Sequence, residues 1–587
     1  MTRAPRLCAA LAVVGLLGGC VGLHADDRIR PGLAVDAQDG QPVVILPEGP
    51  RPGATPEDVI RGFLRAGGVS GDAIAGAKSY LTTGAAARWN PDVGTVVVQE
   101  GSAVVIDGLA GRYRLTATPV GTLTADGRYT PAAPGSEPVR MDLVLTEVGG
   151  EWRISDVPKT FGRWLSPSAF AGLMRQVTVN YVATGSASLV PDVRWVVSDR
   201  MATRMVRQQL GAVPNYLTGA VRTDLGGGVH LLVDSVPVSD GIATVNLAGT
   251  GITNDSAARR NIWAQLVSTV TQAPGVVGVD VTVEGTRLAL AGIDAPVATL
   301  RELGIDSSGP PVGVLPLVRV GQGLYSVDPS QVEQSQAEDF TDRTPVFPAV
   351  QPYFDDLAAN FTGQEVAAVD QGELARFRAD SAETVPNFGT DLTAPAYDRM
   401  GALWVGGRLA KKPNDAAVWA VNSLVWPATD PDAAAVRIPA DWLSGRLPVA
   451  LSVSVDGSRI AIVSTDRHHK DARLDVAGIV RAANGLPTAL AATPLRLGPQ
   501  FASLRDVTWI DDTTLSVLGS VTKDVERAFL VTLGQEVTPL PAVKGALALT
   551  TLGGERRLVV RTKDRVFVRA GAGWLPAAGS DLIVPGR

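Results

Sequence analysis

The chain has 587 residues, of which 45% are hydrophobic, so it is long enough for about three or four domains of roughly 150 residues each. Its formal net charge is -6 at pH 7, and the sequence contains no basic patch of the kind that nucleic-acid binding requires. Composition and charge therefore indicate a multi-domain globular protein and argue against a nucleic-acid partner.

The first twenty residues have the order of an export signal. Arg3 and Arg6 precede an apolar run over residues 7–17, which is shorter than the roughly 20 residues that a membrane-spanning helix needs. The segment Leu17-Gly18-Gly19-Cys20 resembles the lipobox of bacterial lipoproteins. This resemblance implies cleavage before Cys20, an S-diacylglycerol group on its sulfur and acylation of the new amino terminus. We expect residues 1–19 to be a signal peptide and Cys20 to anchor the protein to membrane lipid on the extracytoplasmic face of the cell membrane.

Removal of residues 1–19 changes both the charge and the thiol content. The loss of Arg3 and Arg6 gives a net charge of -6 - 2 = -8. The loss of Cys8 leaves Cys20 as the single cysteine, so the mature chain has neither an internal disulfide nor a cysteine nucleophile. Residues 20–54 are polar and rich in proline, and they predict a flexible tether with a mean end-to-end distance of roughly 30 Å.

The first folded unit is expected over residues 55–165. Thr55-Pro56-Glu57-Asp58 is typical of a helix start, and a second short helix is predicted over residues 72–81. Residues alternate with a period of two over 95–99, 102–107, 112–118, 141–147 and 152–157, which predicts strands of one curved antiparallel sheet. This order resembles a cystatin/NTF2-like α+β domain. Such a cone often holds a small-molecule site, but the usual acid and histidine constellation is absent, so we favour a structural spacer or interaction domain.

The second unit is expected over residues 170–300. Strands are predicted at 176–181, 194–197, 229–233, 242–247 and 277–283, with helices capped by Ser198-Asp199 and by Asn254-Asp255-Ser256. Three segments, Leu189-Val190-Pro191, residues 240–247 and residues 264–276, resemble the GerMN α+β domain. That domain occurs in spore germination proteins and in exported actinobacterial lipoproteins.

The third unit, residues 310–587, alternates short apolar strands with turns. Residues 452–462 show the pattern best, with Asp456-Gly457 as the hairpin turn, and residues 507–517 repeat it in diverged form. Four-stranded blades of about 40–45 residues would give five or six blades of a β-propeller. Residues 345–385 fit the pattern poorly, which leaves the number of blades open.

The fold class is therefore multi-domain α+β and all-β. The order of lipobox, cone-like domain, GerMN domain and propeller resembles the actinobacterial LpqB lipoprotein family over nearly the whole mature chain. The resemblance implies a partner, the extracytoplasmic domain of the sensor histidine kinase MtrB. It also implies a role in modulating the MtrAB two-component system in cell-envelope homeostasis.

Four histidines are the first candidates for chemistry. His24 falls in the tether, and His230 is predicted to lie in a strand at a sheet edge. His468 and His469 are adjacent, and neighbouring side chains of an extended segment face opposite ways. A solvated basic loop is therefore favoured there over a metal site.

Other candidate motifs have local explanations. Gly249-Thr250-Gly251 resembles part of a dinucleotide loop, but Asn254 stands at the third glycine position, and a helix cap explains the same residues. The acid pairs Asp355-Asp356 and Asp511-Asp512 are interpreted as turn residues. Four tryptophans are interpreted as blade-core residues in preference to a sugar-stacking surface: Trp404, Trp426, Trp509 and Trp574.

The sequence thus predicts no catalytic residue, no cofactor and no metal. We expect an accessory regulator of a two-component sensor kinase and not an enzyme. The alternative is a cell-wall glycan binding protein or, less favoured, a wall hydrolase.

Overall fold

The structure is a computed structural model that describes residues 49–587 except 108–110, 253–254, 306–312, 341, 371, 387, 428–429 and 523–524. The predictions for Cys20, His24, Asn254 and the signal peptide lie outside the described residues. Within the described part of the chain, no helix has the length and apolar character needed to cross a membrane.

The N-terminal part combines three short helices with two four-stranded sheets. Its helices are α1 (Pro56–Ala66), α2 (Ile74–Lys78) and α3 (Thr83–Arg88). Its strands are β1 (Gly94–Val98), β2 (Val104–Asp107), β3 (Arg112–Ala117), β4 (Pro119–Thr124), β5 (Tyr129–Pro131), β6 (Val139–Val148), β7 (Glu151–Asp156) and β8 (Arg163–Leu165). One sheet has the order β2-β3-β6-β7 and the other β5-β4-β1-β8, in which β1 and β8 are parallel.

Helix α1 begins as the sequence predicts. The Thr55 Oγ1 accepts a hydrogen bond from the Asp58 backbone N at 3.2 Å, and the Asp58 carboxylate accepts from the Thr55 backbone N at 3.2 Å. These reciprocal bonds satisfy two of the free donors at the helix start. The helix buries Val59, Ile60 and Phe63 against the β2-β3-β6-β7 sheet.

The expectation of a single curved sheet in this part is wrong, because β1, the strand predicted over residues 95–99, belongs with β4, β5 and β8 to a second sheet. Strand β4 starts at Pro119 and contains Gly121, two residue types that weaken a strand pattern. Gly121 is required by packing, since a Cβ atom there would lie 2.2 Å from the Tyr129 hydroxyl. The predicted helix over residues 72–81 is also shorter, because a 3₁₀ turn at Gly71–Ala73 precedes α2.

The middle part surrounds one hydrophobic core with two sheets and two longer helices. Its helices are α4 (Pro167–Leu173), α5 (Met201–Gln209) and α6 (Ser256–Val270). Its strands are β9 (Met174–Ala183), β10 (Leu189–Val197), β11 (Val221–Arg222), β12 (His230–Leu231), β13 (Val238–Ser239), β14 (Ile242–Ala248), β15 (Gly278–Val283) and β16 (Thr286–Arg287). The sheet orders are β10-β9-β11 and β12-β14-β15-β16, with β13 also paired to β14. Strands β14 and β15 are parallel and are connected through α6, whose Trp263 and Leu266 enter the core.

Two local predictions in this part have different outcomes. The Asp255 carboxylate accepts from the Ala258 backbone N at 2.9 Å, so the cap of α6 is confirmed at that residue. The Ser198-Asp199 cap of α5 is wrong, because Arg200 occupies the N-cap position with φ 45° and no side chain caps the helix. The Asp199 carboxylate instead accepts from Arg204 Nε at 3.0 Å. The strand predicted over residues 229–233 is reduced to β12.

The C-terminal part is a β-propeller whose described residues form six sheets. The first blade contains β17 (Leu317–Val320), β18 (Gly323–Ser326) and β41 (Asp581–Ile583); the second contains β19 (Asp356–Ala359), β20 (Val366–Val369), β21 (Leu374–Arg378) and β22 (Ser381–Thr384). The third contains β23 (Gly389–Thr390), β24 (Ala396–Tyr397), β25 (Ala402–Leu409), β26 (Lys412–Asn422) and β27 (Val436–Ile438); the fourth contains β28 (Leu447–Val453), β29 (Arg459–Thr465), β30 (Arg473–Arg481), β31 (Pro487–Leu490) and β32 (Leu495–Leu497). The fifth contains β33 (Ser503–Trp509), β34 (Thr514–Ser520), β35 (Arg527–Thr532) and β36 (Thr538–Pro539); the sixth contains β37 (Ala546–Thr551), β38 (Leu558–Thr562), β39 (Val566–Ala570) and β40 (Gly573–Ala577).

Strand β41 closes the ring. It pairs antiparallel with β17, placing Leu582 opposite Val318 and Asp581 opposite Arg319. The first blade is thus built from both ends of the propeller sequence.

The stretch 345–385, which fits the blade pattern poorly in sequence, contains the complete second blade. Strands β20 and β21 are buried on both faces, with all four residues of β20 inaccessible to solvent. A strand buried on both faces has no alternation of polar and apolar residues, so the period-two signal is absent.

Candidate functional site

The histidines in the described part of the chain, His230, His468 and His469, are all exposed. His230 lies on the edge strand β12, as predicted, with Nδ1 3.0 Å from the Gly228 carbonyl oxygen. His468 and His469 are exposed on the β29–β30 hairpin, where Asp466 accepts hydrogen bonds from the His468 backbone N at 2.9 Å. The interpretation as a solvated loop is confirmed. Across the described ranges, no group of three or more His, Cys, Asp or Glu side chains is arranged to hold a metal ion.

The two acid pairs differ. Asp511 accepts from the backbone N of Thr513 at 2.8 Å and of Thr514 at 2.7 Å, so its role in a turn is confirmed. The turn interpretation is wrong for Asp356, which is the first residue of β19. Its Oδ1 lies 2.5 Å from Nη2 of Arg561 in the centre of the propeller.

The four tryptophans also divide into two kinds. Trp404 and Trp509 are fully buried blade-core residues, as predicted. Trp426 and Trp574 are only half-buried. One face of Trp426 is covered by the guanidinium of Arg378 at 4.7 Å from the ring centre.

Gly249, in the segment that resembles part of a dinucleotide loop, has a packing role. A Cβ atom on this residue would lie 2.3 Å from the Gly228 carbonyl oxygen.

The centre of the propeller holds a buried group of charges that we call the channel cluster. Its members are Asp356 on β19, Asp506 on β33, Arg561 on β38 and Asp581 on β41, and they line a cavity of about 80 Å³. Arg561 contacts Asp356 at 2.5 Å and Asp581 at 3.6 Å. One guanidinium thus connects the sixth blade with the second blade and with the strand that closes the ring.

Burial dominates the electrostatics of the channel cluster. It raises the pKa of Asp506 to about 7, although the carboxylate accepts from the Leu549 backbone N at 2.6 Å. Burial also raises the pKa of Asp356 and of Asp581, against the opposing effect of Arg561. Burial disfavours the charge of Arg561, but Asp581 and Asp356 outweigh it and hold the pKa of Arg561 above its ordinary value.

Sequence reasoning missed the channel cluster because its members are far apart along the chain. Asp356 and Arg561 are separated by 205 positions, and each comes from a different blade. The available signal was limited to Asp506, a charged residue within a strand pattern. Only the closed ring brings these side chains together.

The mouth of the channel forms a larger pocket of about 440 Å³, which we call the mouth pocket. Asp355, Asp370, Asp391, Arg408 and His469 line it together with apolar residues such as Leu392, Leu447 and Pro448. Asp391 forms an ion pair with Arg408 at 2.7 Å. Three of the lining residues, Asp355, Asp391 and His469, are exposed. The mouth is therefore acidic and open to solvent.

The middle part packs on the opposite face of the propeller, over the fourth and fifth blades. Strands β9, β10 and β11 share a hydrophobic core with the fourth and fifth blades, in which Tyr181 and Leu217 pack with Phe501 and Trp509. Arg459, which is fully buried, donates to the Pro191 carbonyl at 3.1 Å and pairs with Asp456.

Trp195 joins all three parts of the described chain. Its indole Nε1 donates to the Gly534 carbonyl of the propeller at 2.7 Å, and its backbone N donates to Gly127 of the N-terminal part at 2.7 Å. Its ring lies 4.9 Å from that of Phe170. Next to it, burial and the Glu536 carboxylate raise the pKa of Tyr129 to about 12. We call this group of contacts the junction.

These features define a multi-domain, mostly β protein that combines a helix-and-sheet domain, a GerMN α+β domain and a C-terminal β-propeller. Residues 49–171 match the family model described as "Lipoprotein LpqB, N-terminal domain". Residues 179–289 match "Sporulation and spore germination", and residues 330–581 match "Lipoprotein LpqB beta-propeller domain". The chain belongs to the LpqB lipoprotein family.

Curated relatives with the name Lipoprotein LpqB cover most of the chain. The protein of Thermobifida fusca is 26% identical over 604 residues, which span 93% of this chain and 92% of the relative. The protein of Streptomyces coelicolor is 26% identical and covers 97% of this chain and 96% of its own length. The Bifidobacterium longum protein is 32% identical over a shorter region, 37% of this chain and 39% of the relative. The family name is that of a membrane-anchored envelope protein, and it names no catalysed reaction.

Similar solved structures include TolB from Acinetobacter baumannii, with a TM-score of 0.32 and 13% identity over 53% of this chain and 83% of that chain. The tandem GerMN domains of GerM from Bacillus subtilis match with a TM-score of 0.17 and 19% identity over 22% of this chain and 45% of that chain.

Proposed function

We propose that this protein is a lipid-anchored accessory regulator whose propeller contacts the extracytoplasmic domain of a sensor histidine kinase of the MtrB type. Cys20, acylated on its sulfur and amino terminus, holds the protein on the outer face of the membrane. The kinase would then respond to the presence or state of the lipoprotein, in the control of cell-envelope homeostasis. In this proposal residues 20–54 act as the tether, 55–165 and 170–300 as spacer domains, and 310–587 as the contact domain.

One observation carries the proposal. The middle part covers one face of the propeller, and the acidic mouth pocket opens on the other. The covered face is held by a hydrophobic core and by the junction, so the mouth face is presented away from the middle part at a fixed geometry. A tethered protein with one free, charged face is suited to recognition of a neighbour in the same membrane, because anchoring both raises their effective concentration.

The channel cluster supports a binding role over an enzymatic one. Arg561 is engaged by Asp356 and Asp581 in a cavity of only about 80 Å³. A substrate bond flanked by two free carboxyl groups, as glycoside hydrolysis requires, does not fit this arrangement.

Site-specific photo-crosslinking tests the proposal. A photoreactive amino acid at His469, on the mouth face, should trap a sensor histidine kinase in membranes of a strain that expresses one, and mass spectrometry should identify it. Arg556 provides a matched control, because it is exposed in the β37–β38 connection. Successive hairpins of a blade alternate between faces, which places Arg556 on the side opposite to His469. Recovery of no kinase from His469, or equal recovery from both positions, would contradict the proposal.

A cell-wall glycan binding protein is the second candidate. The half-buried Trp426 and Trp574 favour it, because partly exposed tryptophans stack on sugar rings. Co-sedimentation with purified peptidoglycan that is lost in W574A would support this candidate. Release of soluble sugar or peptide from the peptidoglycan would instead indicate a wall hydrolase.

A further inference from the structure

The N-terminal part contains a pocket of about 460 Å³ that its two sheets line together. Met141, Phe161 and Trp164 are more than nine-tenths buried and form its apolar wall, with Val96 and Val139 beside them. The volume lies within the range of about 300–1,000 Å³ that is usual for small-molecule sites. We call it the N-terminal pocket.

One polar group in this wall lies in the pocket lining. Trp164 lines the pocket, and no described residue accepts a hydrogen bond from its indole N–H, which is not among the fully buried unpaired atoms of the described chain. In the same core, the indole of Trp89 donates to the Gly162 carbonyl at 3.0 Å. The Trp164 N–H is therefore open to water or to an acceptor atom of a ligand in the pocket.

The charged residues that line the pocket are all basic. Arg140 lies at its rim, is exposed and makes no ion pair with any described residue. The other lining arginine, Arg163, is already satisfied by the Gly67 carbonyl at 2.8 Å and by Asp92. No acidic residue is present among the described residues that line the pocket.

We propose that the N-terminal pocket binds a single-chain anionic amphiphile of the fatty-acid class. Its hydrocarbon chain lies against Met141, Phe161 and Trp164. Its acidic head faces Arg140, and an acceptor oxygen takes the N–H of Trp164. The apolar wall, the unpartnered donor and the unopposed cation each match one part of such a ligand. This inference is independent of the kinase contact proposed for the propeller.

Titration of the full chain carrying C20S with palmitate, below its critical micelle concentration and without detergent, tests the proposal. Isothermal calorimetry should show saturable binding of one palmitate per chain. R140E should weaken binding about tenfold, because it replaces the attractive charge with a repulsive one. W164F keeps an aromatic wall but removes the N–H, and it should weaken binding about fivefold.

Two further variants keep the test decisive. V139W fills the pocket and should abolish palmitate binding, and circular dichroism reports whether this variant folds. If V139W does not fold, R140E still tests the proposal, because it changes an exposed residue. R112E is the matched control, because Arg112 is exposed on the neighbouring strand β3 and does not line the pocket. No palmitate binding to the C20S chain, or binding that R140E and V139W leave unchanged, would overturn the proposal.

A comparison of ligands tests whether the acidic head of the ligand matters and whether the ligand can come from a membrane. Hexadecanol, which has the same chain without the acid, should bind about tenfold more weakly than palmitate. Phosphatidylglycerol vesicles that contain palmitate should transfer it to the C20S chain but not to V139W. Retention of the C20S chain on palmitate-free vesicles, to the same extent in V139W, would indicate a surface contact and contradict a pocket for a single chain.

Discussion

Arg561 forms ion pairs with two carboxylates of the channel cluster. Its side chain is 16% exposed and contacts Asp356 and Asp581, residues of the second blade and of the closing strand. A buried charge that lacks its partner destabilises the folded state, so removal of one member of such a group lowers the free energy of unfolding. The stability of the propeller should therefore depend strongly on this one side chain.

Replacement of Arg561 by methionine, R561M, should lower the free energy of unfolding by about 3–5 kcal/mol, because it removes the guanidinium that pairs with the buried Asp356 and Asp581. Urea unfolding followed by tryptophan fluorescence measures the change. R565M removes an exposed arginine from the adjacent β38–β39 turn and should change stability by less than about 0.5 kcal/mol. Equal effects of the two substitutions would show that Arg561 has no special role.

Asp506 should make the stability of the protein depend on pH. Its pKa of about 7 in the folded state exceeds its ordinary value of 3.8, so the folded protein holds a proton that the unfolded chain releases. The free energy of unfolding should therefore fall as the pH rises, by roughly 2–3 kcal/mol between pH 5 and pH 8. Urea titrations at several pH values measure this slope.

The substitution D506N tests the origin of the slope, because asparagine resembles the protonated acid. The variant should match the parent near pH 5, exceed its stability at pH 8 and show a flatter profile. A slope that remains unchanged in D506N would assign the pH dependence to other groups.

For single residues, the sequence predicted contacts correctly where the two hydrogen-bonded residues are close together in the chain. Thr55 and Asp58 cap a helix three residues apart, and Asp511 bonds to Thr513 and Thr514 in its own turn. It failed for Asp356, whose partner comes from another blade. A local pattern contains no information about a contact that the whole ring creates.

At the scale of elements, β41 has the largest consequence, since its pairing with β17 turns six blades into a ring. The sequence predicted the propeller but not this closure. Three residues form β41, too few for a period to be recognised, and its partner strand lies at the other end of the domain.

Proline in the middle of β41, L582P, should open the ring, because it replaces a side chain buried opposite Val318 and removes the backbone N–H that donates to the Asp581 carboxylate at 2.8 Å. We expect a loss of about 3 kcal/mol or more and rapid cleavage of the first blade by a protease at low concentration. L575P is the control, since Leu575 is exposed on β40, the outer strand of the sixth blade. Edge strands tolerate proline better, so cleavage of L575P as fast as L582P would contradict a closing role for β41.

At the scale of the whole molecule, the junction combines three domains into one packed body. A W195A substitution should cost about 3–5 kcal/mol, because it removes the ring packed on Phe170 and the hydrogen bond to Gly534. Limited proteolysis should then cut between the middle part and the propeller. W574A provides the comparison, since Trp574 also donates to a backbone carbonyl but is half-buried at a blade edge. If W574A releases the same fragments, the junction is not what joins the domains.

Membrane attachment should depend on Cys20 alone. Two or three acyl chains anchor a protein stably, whereas a chain without them has no comparable hold on the bilayer. The C20S variant should therefore move from the membrane pellet to the soluble fraction after a high-salt wash, as immunoblotting of both fractions shows. C8S changes a cysteine within the expected signal peptide and should still pellet. A C20S protein that remains in the pellet would contradict the lipid anchor.

The position of β41 also has a consequence for biogenesis. If the chain is exported with its amino-terminal end first, as we propose, β17 would reach the outside long before its partner β41. Until then the inner edge of β17 has unpaired backbone groups, and such an edge recruits any other strand nearby. Under the proposed export, the propeller would therefore pass through an incomplete, aggregation-prone stage outside the membrane. Extracytoplasmic folding factors and quality-control proteases should encounter this protein mainly during that interval.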